Sequence, residues 1–133
     1  MNGLVIDTSS WVSYLARGGG SAELIEQALE EGRVHLPPVV AAELLSGKLG
    51  PRERRELTRL LDDLPLVEAD RGHWYRVGRL RSELRGRGLA VSTPDAHVAQ
   101  CALDLDAELL TEDGVFARLA RHTALRLAPG SPA

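Results

Sequence analysis

A chain of 133 residues with 44% hydrophobic content is long enough to build one proper core and too short for several domains. A net charge of −3, from 16 Lys and Arg against 19 Asp and Glu, excludes a protein that grips nucleic acid by bulk positive charge alone, although a local patch can still do so. The single cysteine, Cys101, excludes an intramolecular disulfide framework, and no zinc-type spacing links it to His35, His73, His97 or His122.

The first residues, Met1-Asn2-Gly3-Leu4-Val5-Ile6-Asp7, lack a basic stretch and break their apolar run with a carboxylate, so no signal peptide is expected. Leu4-Val5-Ile6 reads as a buried strand running straight into a helix at Asp7-Thr8-Ser9-Ser10, with Trp11, Val12, Tyr14 and Leu15 on that helix. Gly18-Gly19-Gly20 breaks it, and Ser21 caps a second helix whose Leu24, Ile25, Ala28 and Leu29 keep helical spacing up to Gly32. Val34-His35-Leu36 is a second strand. Pro37-Pro38 opens a helix through Leu45, with Glu43 among apolar neighbours, that stops near Gly47 to Gly50.

Pro51 starts a charged helix through Asp63 with Leu57, Leu60 and Leu61 as its seam, and Pro65-Leu66-Val67 predicts a third short strand. A helix from about His73 to Leu84 follows, and Ser92-Thr93-Pro94-Asp95 begins another built on small residues, Ala96, Val98, Ala99 and Ala102. Ala107 to Leu110 is a fourth strand, Thr111-Glu112-Asp113 opens a last helix around Phe116 and Leu119, and Leu125 to Leu127 adds an edge strand. No apolar run reaches membrane-spanning length, so a soluble, cytoplasmic protein is expected. One domain over residues 1–128 with a loose tail at 129–133 completes the organisation.

Short apolar strands alternating with amphipathic helices predict an α/β fold with a mainly parallel sheet, because parallel neighbours need crossover helices that bury both faces. Ligands of such sheets sit beyond the carboxyl ends of the strands. Asp7 and Asp113 both follow strands and belong on that rim. Each acid also has a bland reading. Asp7 can cap the first helix, Asp113 can start the last one, Asp95 can complete a capping box with Ser92, and Glu43 can reach solvent on a polar stripe with Lys48. Together they make better sense as a cluster, since crowded carboxylates repel one another unless a divalent cation neutralises them, and hard oxygen donors suit magnesium or manganese.

The segments Val5-Ile6-Asp7-Thr8-Ser9-Ser10-Trp11, Ala42-Glu43-Leu44, Pro94-Asp95-Ala96 with Val98-Ala99, and Leu110-Thr111-Glu112-Asp113 with Phe116 resemble the PIN-domain family, specifically its VapC toxins. Order and spacing match across nearly the whole chain. The resemblance implies a three-layer α/β/α sandwich, a site for one or two Mg2+ or Mn2+ ions, cleavage of RNA, a cognate VapB-like antitoxin and a homodimer. It also implies that Asp7, Glu43, Asp95 and Asp113 are metal-binding acids, with Ser9 and Thr111 as hydroxyls that orient carboxylates or water. Thr8 and Ser9 can equally be plain helix caps. Many relatives carry a further acid two residues after the position of Asp113, where this chain has Val115.

Arg71, Arg76, Arg79, Arg81, Arg85 and Arg87 surround Trp74 and Tyr75, which reads either as a surface for RNA or as a solvated face with two core aromatics. His97 is expected at the surface and Cys101 as a small buried hydrophobe. Trp11, Tyr14 and Leu15 either pack in the core or leave an apolar face for an antitoxin helix. A phosphotransferase using Asp7 as nucleophile is disfavoured because Ser9 stands where such enzymes carry a second acid, and a dinucleotide site is excluded by the lack of G-x-G-x-x-G after the first strand. The remaining alternative is a degenerate module that binds RNA or a partner without cutting.

Overall fold

The computed structural model describes residues 2–16 and 19–133; Met1 and Gly18, which entered the reading of the N-terminus and of the glycine break, lie outside the described residues. In chain order the elements are β1 (Leu4–Ile6), α1 (Thr8–Leu15), α2 (Ala22–Glu30), β2 (Val34–His35), α3 (Pro38–Leu45) and α4 (Pro51–Asp62), then α5 (Arg71–Gly86), α6 (Thr93–Leu105), β3 (Glu108–Leu110), α7 (Val115–Ala120) and β4 (Arg126–Leu127). Local chemistry explains the boundaries. Gly32 takes a φ of +69° after α2, where a side chain would be strained, and the Gly50 N–H donates to Glu53 Oε1 at 3.3 Å ahead of Pro51 in α4.

All strand pairs are parallel, in the order β2-β1-β3-β4. Leu4, Val5 and Ile6 are at most 1% exposed although successive side chains point to opposite faces, so helices cover β1 on both sides. That is the expected three-layer α/β/α arrangement. In β1 and β3, Ile6 lies opposite Leu110, and the Asp7 N–H donates to the Leu110 carbonyl at 2.8 Å. The next residues, Asp7 and Thr111, therefore leave the sheet side by side at its carboxyl edge.

Three expectations are corrected. Pro65-Leu66-Val67 is not a strand but a single parallel bridge, Leu36 to Leu66. Leu36 N–H donates to the Pro65 carbonyl and Val67 N–H to the Leu36 carbonyl, and there the ladder stops, because Pro37, Pro38 and Pro65 have no N–H to extend it. The last helix begins at Val115 rather than Thr111, since the Thr111 hydroxyl and the Asp113 carboxylate bind the N–H groups of Asp113 and Val115 in a turn of their own. His97 is fully buried, not at the surface. Its nitrogens find partners inside: Nδ1 lies 2.7 Å from His73 Nε2, and Nε2 accepts from the Val39 N–H at 3.5 Å. Burial, helped by His73, holds its pKa down at about 4, so it joins the core as a neutral ring.

Trp11 is fully buried, with Tyr14 edge-on at 6.0 Å, while Val12 and Leu15 on the same helix are 54% and 43% exposed. The α5 helix runs further at both ends than expected. Trp74 and Tyr75 on it are exposed at 39% and 65%, which removes the core reading for Tyr75 above all. At the other end of the chain, Ser131 accepts from the Thr111 N–H at 3.2 Å and donates to the Leu109 carbonyl at 3.3 Å. Among the described residues no helix is long and apolar enough to cross a membrane.

Asp104 fastens α5 to α6. It accepts from Arg76 Nε and Nη2, both at 3.0 Å, from Gln100 Nε2 at 2.8 Å and from His73 Nδ1 at 2.9 Å. Burial works to raise its pKa, but the hydrogen bonds from Arg76, His73 and Gln100 outweigh it and hold the carboxyl at about 2, below the ordinary 3.8. A lowered acid stabilises the fold above its unfolded value and stops doing so as pH falls through its folded one. Asp104→Asn is thus expected to cost about 2 kcal/mol at neutral pH, with the difference from wild type shrinking between about pH 4 and pH 2. Denaturant titrations across that range would check it.

Candidate active site

Asp7 is the buried acid of the rim, 7% exposed. Although it stands at the N-cap of α1, its side chain makes no capping hydrogen bond; Oδ2 accepts instead from Thr111 Oγ1 at 2.9 Å and Ser9 Oγ at 3.1 Å. Each hydroxyl has a single proton, and each is committed to Asp7. The reason is that Thr111 Oγ1 accepts from the Asp113 N–H and Ser9 Oγ from the Glu112 N–H, both at 3.0 Å, so the backbone fills the accepting side of each hydroxyl. Both hydroxyls hold one oxygen and leave Oδ1 without a side-chain partner. Thr111 is fully buried, which fixes the arrangement.

Glu43 projects from α3 into solvent, where Thr8 Oγ1 donates to its Oε1 at 2.7 Å. The Lys48 stripe is not needed to explain it. Thr8 had the plain reading of a helix cap; no pattern in sequence pairs it with an acid 35 residues away. Asp95 is half-buried in the first turn of α6, where its own N–H donates to Ser92 Oγ at 3.2 Å. Asp113 is exposed and accepts from the Val115 N–H through Oδ1 at 3.0 Å, so the residue standing where relatives carry a further acid contributes its backbone here.

Electrostatics ties the four acids together. Burial raises the pKa of Asp7 first of all, opposed by the hydrogen bonds from Thr111, Ser9 and the Thr8 backbone, and the Glu43 charge raises it further. Asp95 is likewise raised by burial, with Ser92 opposing, and then by the charges of Asp7, Asp113 and Glu43 in turn. All six residues singled out in sequence, Asp7, Ser9, Glu43, Asp95, Thr111 and Asp113, therefore meet at the carboxyl edge of β1 and β3. Two acids held above their usual pKa by burial and by like charge are what a divalent-cation site looks like before the cation compensates it. The donors fit: carboxylate and hydroxyl oxygens, with no sulfur or imidazole at the rim among the described residues, match magnesium or manganese.

Of the arginines around Trp74, Arg76 is taken up by Asp104, and Arg81 donates to the Val91 carbonyl at 2.8 Å. The Trp74 ring lies 4.7 Å from that of His97 with 10° between planes.

Comparison with known proteins identifies the family. The family model described as PIN domain matches residues 4–122. Ribonuclease VapC11 of Mycobacterium tuberculosis is 31% identical over 130 residues, covering 94% of this chain and 97% of the relative, and a VapC ribonuclease of Mycobacterium bovis matches to the same extent. Among solved structures, VapBC2 from Rickettsia felis bound to a DNA fragment from its promoter has a TM-score of 0.73 at 22% identity, covering 94% of this chain and 96% of that one. The chain belongs to the PIN-domain family, among its VapC ribonucleases.

Proposed function

We propose that this chain is a divalent-metal-dependent endoribonuclease and the toxin of a VapBC-type pair, with Asp7, Glu43, Asp95 and Asp113 holding one or two Mg2+ or Mn2+ ions. Membership among the VapC ribonucleases supports RNA as the substrate and phosphodiester hydrolysis as the reaction. The observation that carries the site assignment is the meeting of four acids from four separate segments on the rim where β1 and β3 end. An ion held by these four acids would supply Lewis-acid chemistry, polarising a phosphoryl oxygen and activating water. The chain's own residues supply orientation. Ser9 and Thr111 direct their protons to Asp7 Oδ2, which leaves Oδ1 without a side-chain hydrogen bond among the described residues, and Thr8 pins Glu43.

In this reading the partner is a VapB-like antitoxin and the protein works as a homodimer in the cytoplasm, both on family grounds; exposed Val12 and Leu15 on α1 are side chains of the kind a partner helix covers. The test is cleavage of total RNA by the purified chain. Products should form with manganese or magnesium, vanish with excess chelator and return when the metal is restored. Cleavage that continues in chelator overturns the metal requirement, and RNA binding without products under manganese favours the binding-only module.

Thr111→Val keeps shape and removes both the proton given to Asp7 and the acceptor of the Asp113 N–H. It is expected to lower kcat by roughly 10- to 100-fold, as loss of partners around metal-ligating groups does, with KM for RNA nearly unchanged. A rate equal to wild type would mean that Asp7 is held without it.

A further inference from the structure

His73 on α5, with His97 and Cys101 on α6, brings three ligating atoms within 4.8 Å of one another, and all three side chains are fully buried. His97 and Cys101 stand four residues apart and so share one helix face. Cys101 Sγ lies 3.7 Å from His97 Nε2 and 3.9 Å from Nδ1. Sequence spacing hid this trio because its third member is 24 residues upstream on another helix.

The outer groups are arranged as they are around metal-ligating imidazoles. Asp104 Oδ2, with no proton of its own at neutral pH, accepts from His73 Nδ1 at 2.9 Å, which places the ring's lone pair on Nε2, pointing at His97. Arg76 and Gln100 hold that carboxylate in place. Packing alone asks for neither two facing imidazoles nor a carboxylate behind one of them.

We propose that His73, His97 and Cys101 form a second metal site that takes zinc or a similarly thiophilic ion, chemically separate from the hard-oxygen acid cluster. Nitrogens at about 2.0–2.1 Å and sulfur at about 2.3 Å from a tetrahedral ion stand roughly 3.3 Å apart for N–N and 3.6 Å for N–S. Both sulfur distances run to the one His97 ring, so the Cys101–His97 edge is nearly there already, the His73 edge to Cys101 lies within 4.8 Å, and the facing imidazole nitrogens at 2.7 Å must open by roughly 0.6 Å. Burial pushes the Cys101 thiol up to about 12, so the ion displaces its proton: one Zn–S bond forms, one S–H bond breaks and one proton leaves to solvent, while the single His97 proton moves from Nδ1, the nitrogen facing His73, to Nε2, which gives up the Val39 N–H. Three protein ligands leave the fourth position to water. Trp74, stacked over His97 and partly exposed, is the cover that swings aside to admit the ion. Occupied, the site clamps α5 to α6, the helix that presents Asp95.

The test titrates metal-free full-length protein with Co2+ in excess Mg2+, which keeps the acid cluster filled. A thiolate-to-cobalt absorption in the near ultraviolet should grow to one equivalent and be displaced by Zn2+. It should be lost in Cys101→Ser and unchanged in Asp95→Asn, and Asp104→Asn should weaken cobalt binding roughly 10- to 100-fold. Zinc at one hundred times its Kd should raise the folding constant of the wild type roughly 100-fold and leave that of Cys101→Ser unmoved. If Cys101→Ser does not fold, His73→Asn carries the same expectation of weakened binding. Absence of the band in wild type, or a band that survives in Cys101→Ser, overturns the proposal and leaves a plain hydrogen-bonded histidine pair. Since the readout is the absorption of Cys101 itself, that failure is independent of whether the protein cleaves RNA.

Discussion

Asp7→Asn is expected to lower RNA cleavage by roughly 10³-fold or more while leaving the protein folded. Asparagine keeps the shape and an oxygen that can accept from Ser9 and Thr111, but it removes the charge that, under the proposed function, binds the cation. The sign of its effect on stability is opposite to that on activity. Burial raises the Asp7 pKa above its ordinary 3.8, so the acid costs the fold nothing below that value. The cost sets in as pH rises through the folded pKa and persists at neutral pH. Metal-free Asp7→Asn should therefore melt no lower than wild type at pH 7, and adding Mn2+ should raise the midpoint of wild type alone. Thermal scans with and without Mn2+, beside the cleavage assay, measure both arms. A variant that cuts RNA at the wild-type rate would remove Asp7 from the chemistry.

Phe116→Ala should act the other way round. Phe116 is fully buried, one of the largest such side chains, in the short helix just after Asp113. Cutting a phenyl ring from a close-packed core costs about 3–5 kcal/mol through lost transfer energy and the cavity left behind. Against a usual total of about 5–15 kcal/mol, that loss is a large share of the stability of a small domain. Urea unfolding should show a lower midpoint with an unchanged slope, and the folded fraction should cleave RNA at near the wild-type rate. A midpoint within about 1 kcal/mol of wild type would mean that the site collapses without a cavity.

These two positions show what the sequence made readable. Leu4-Val5-Ile6 followed by Asp7 and Leu109-Leu110 followed by Thr111 declare buried strands ending in polar residues, and parallel pairing then forces those ends together. Local chemistry was the readable part. Pro65 misled because its apolar neighbours signal a strand, whereas three prolines limit the pairing to one rung. The late start of α7 was hidden in a competition between side-chain oxygens and the helix for the same N–H groups. Thr8 bound to Glu43, and His97 bound to His73, were out of reach for a different cause. Both bonds join residues tens of positions apart whose types carry no mutual pattern, so only the packed helices bring them into contact.

The order in which translation delivers the rim has a consequence of its own. β1 emerges first, yet one of its two neighbours in the sheet, β3, ends at Leu110, and the acids sit at positions 7, 43, 95 and 113. A nascent chain stalled anywhere before Asp113 lacks a wall of the pocket. Under the ribonuclease reading, a ribosome making this protein is sheltered from its own product until the segment bearing Asp113 has emerged, and fragments that stop short of it are inert.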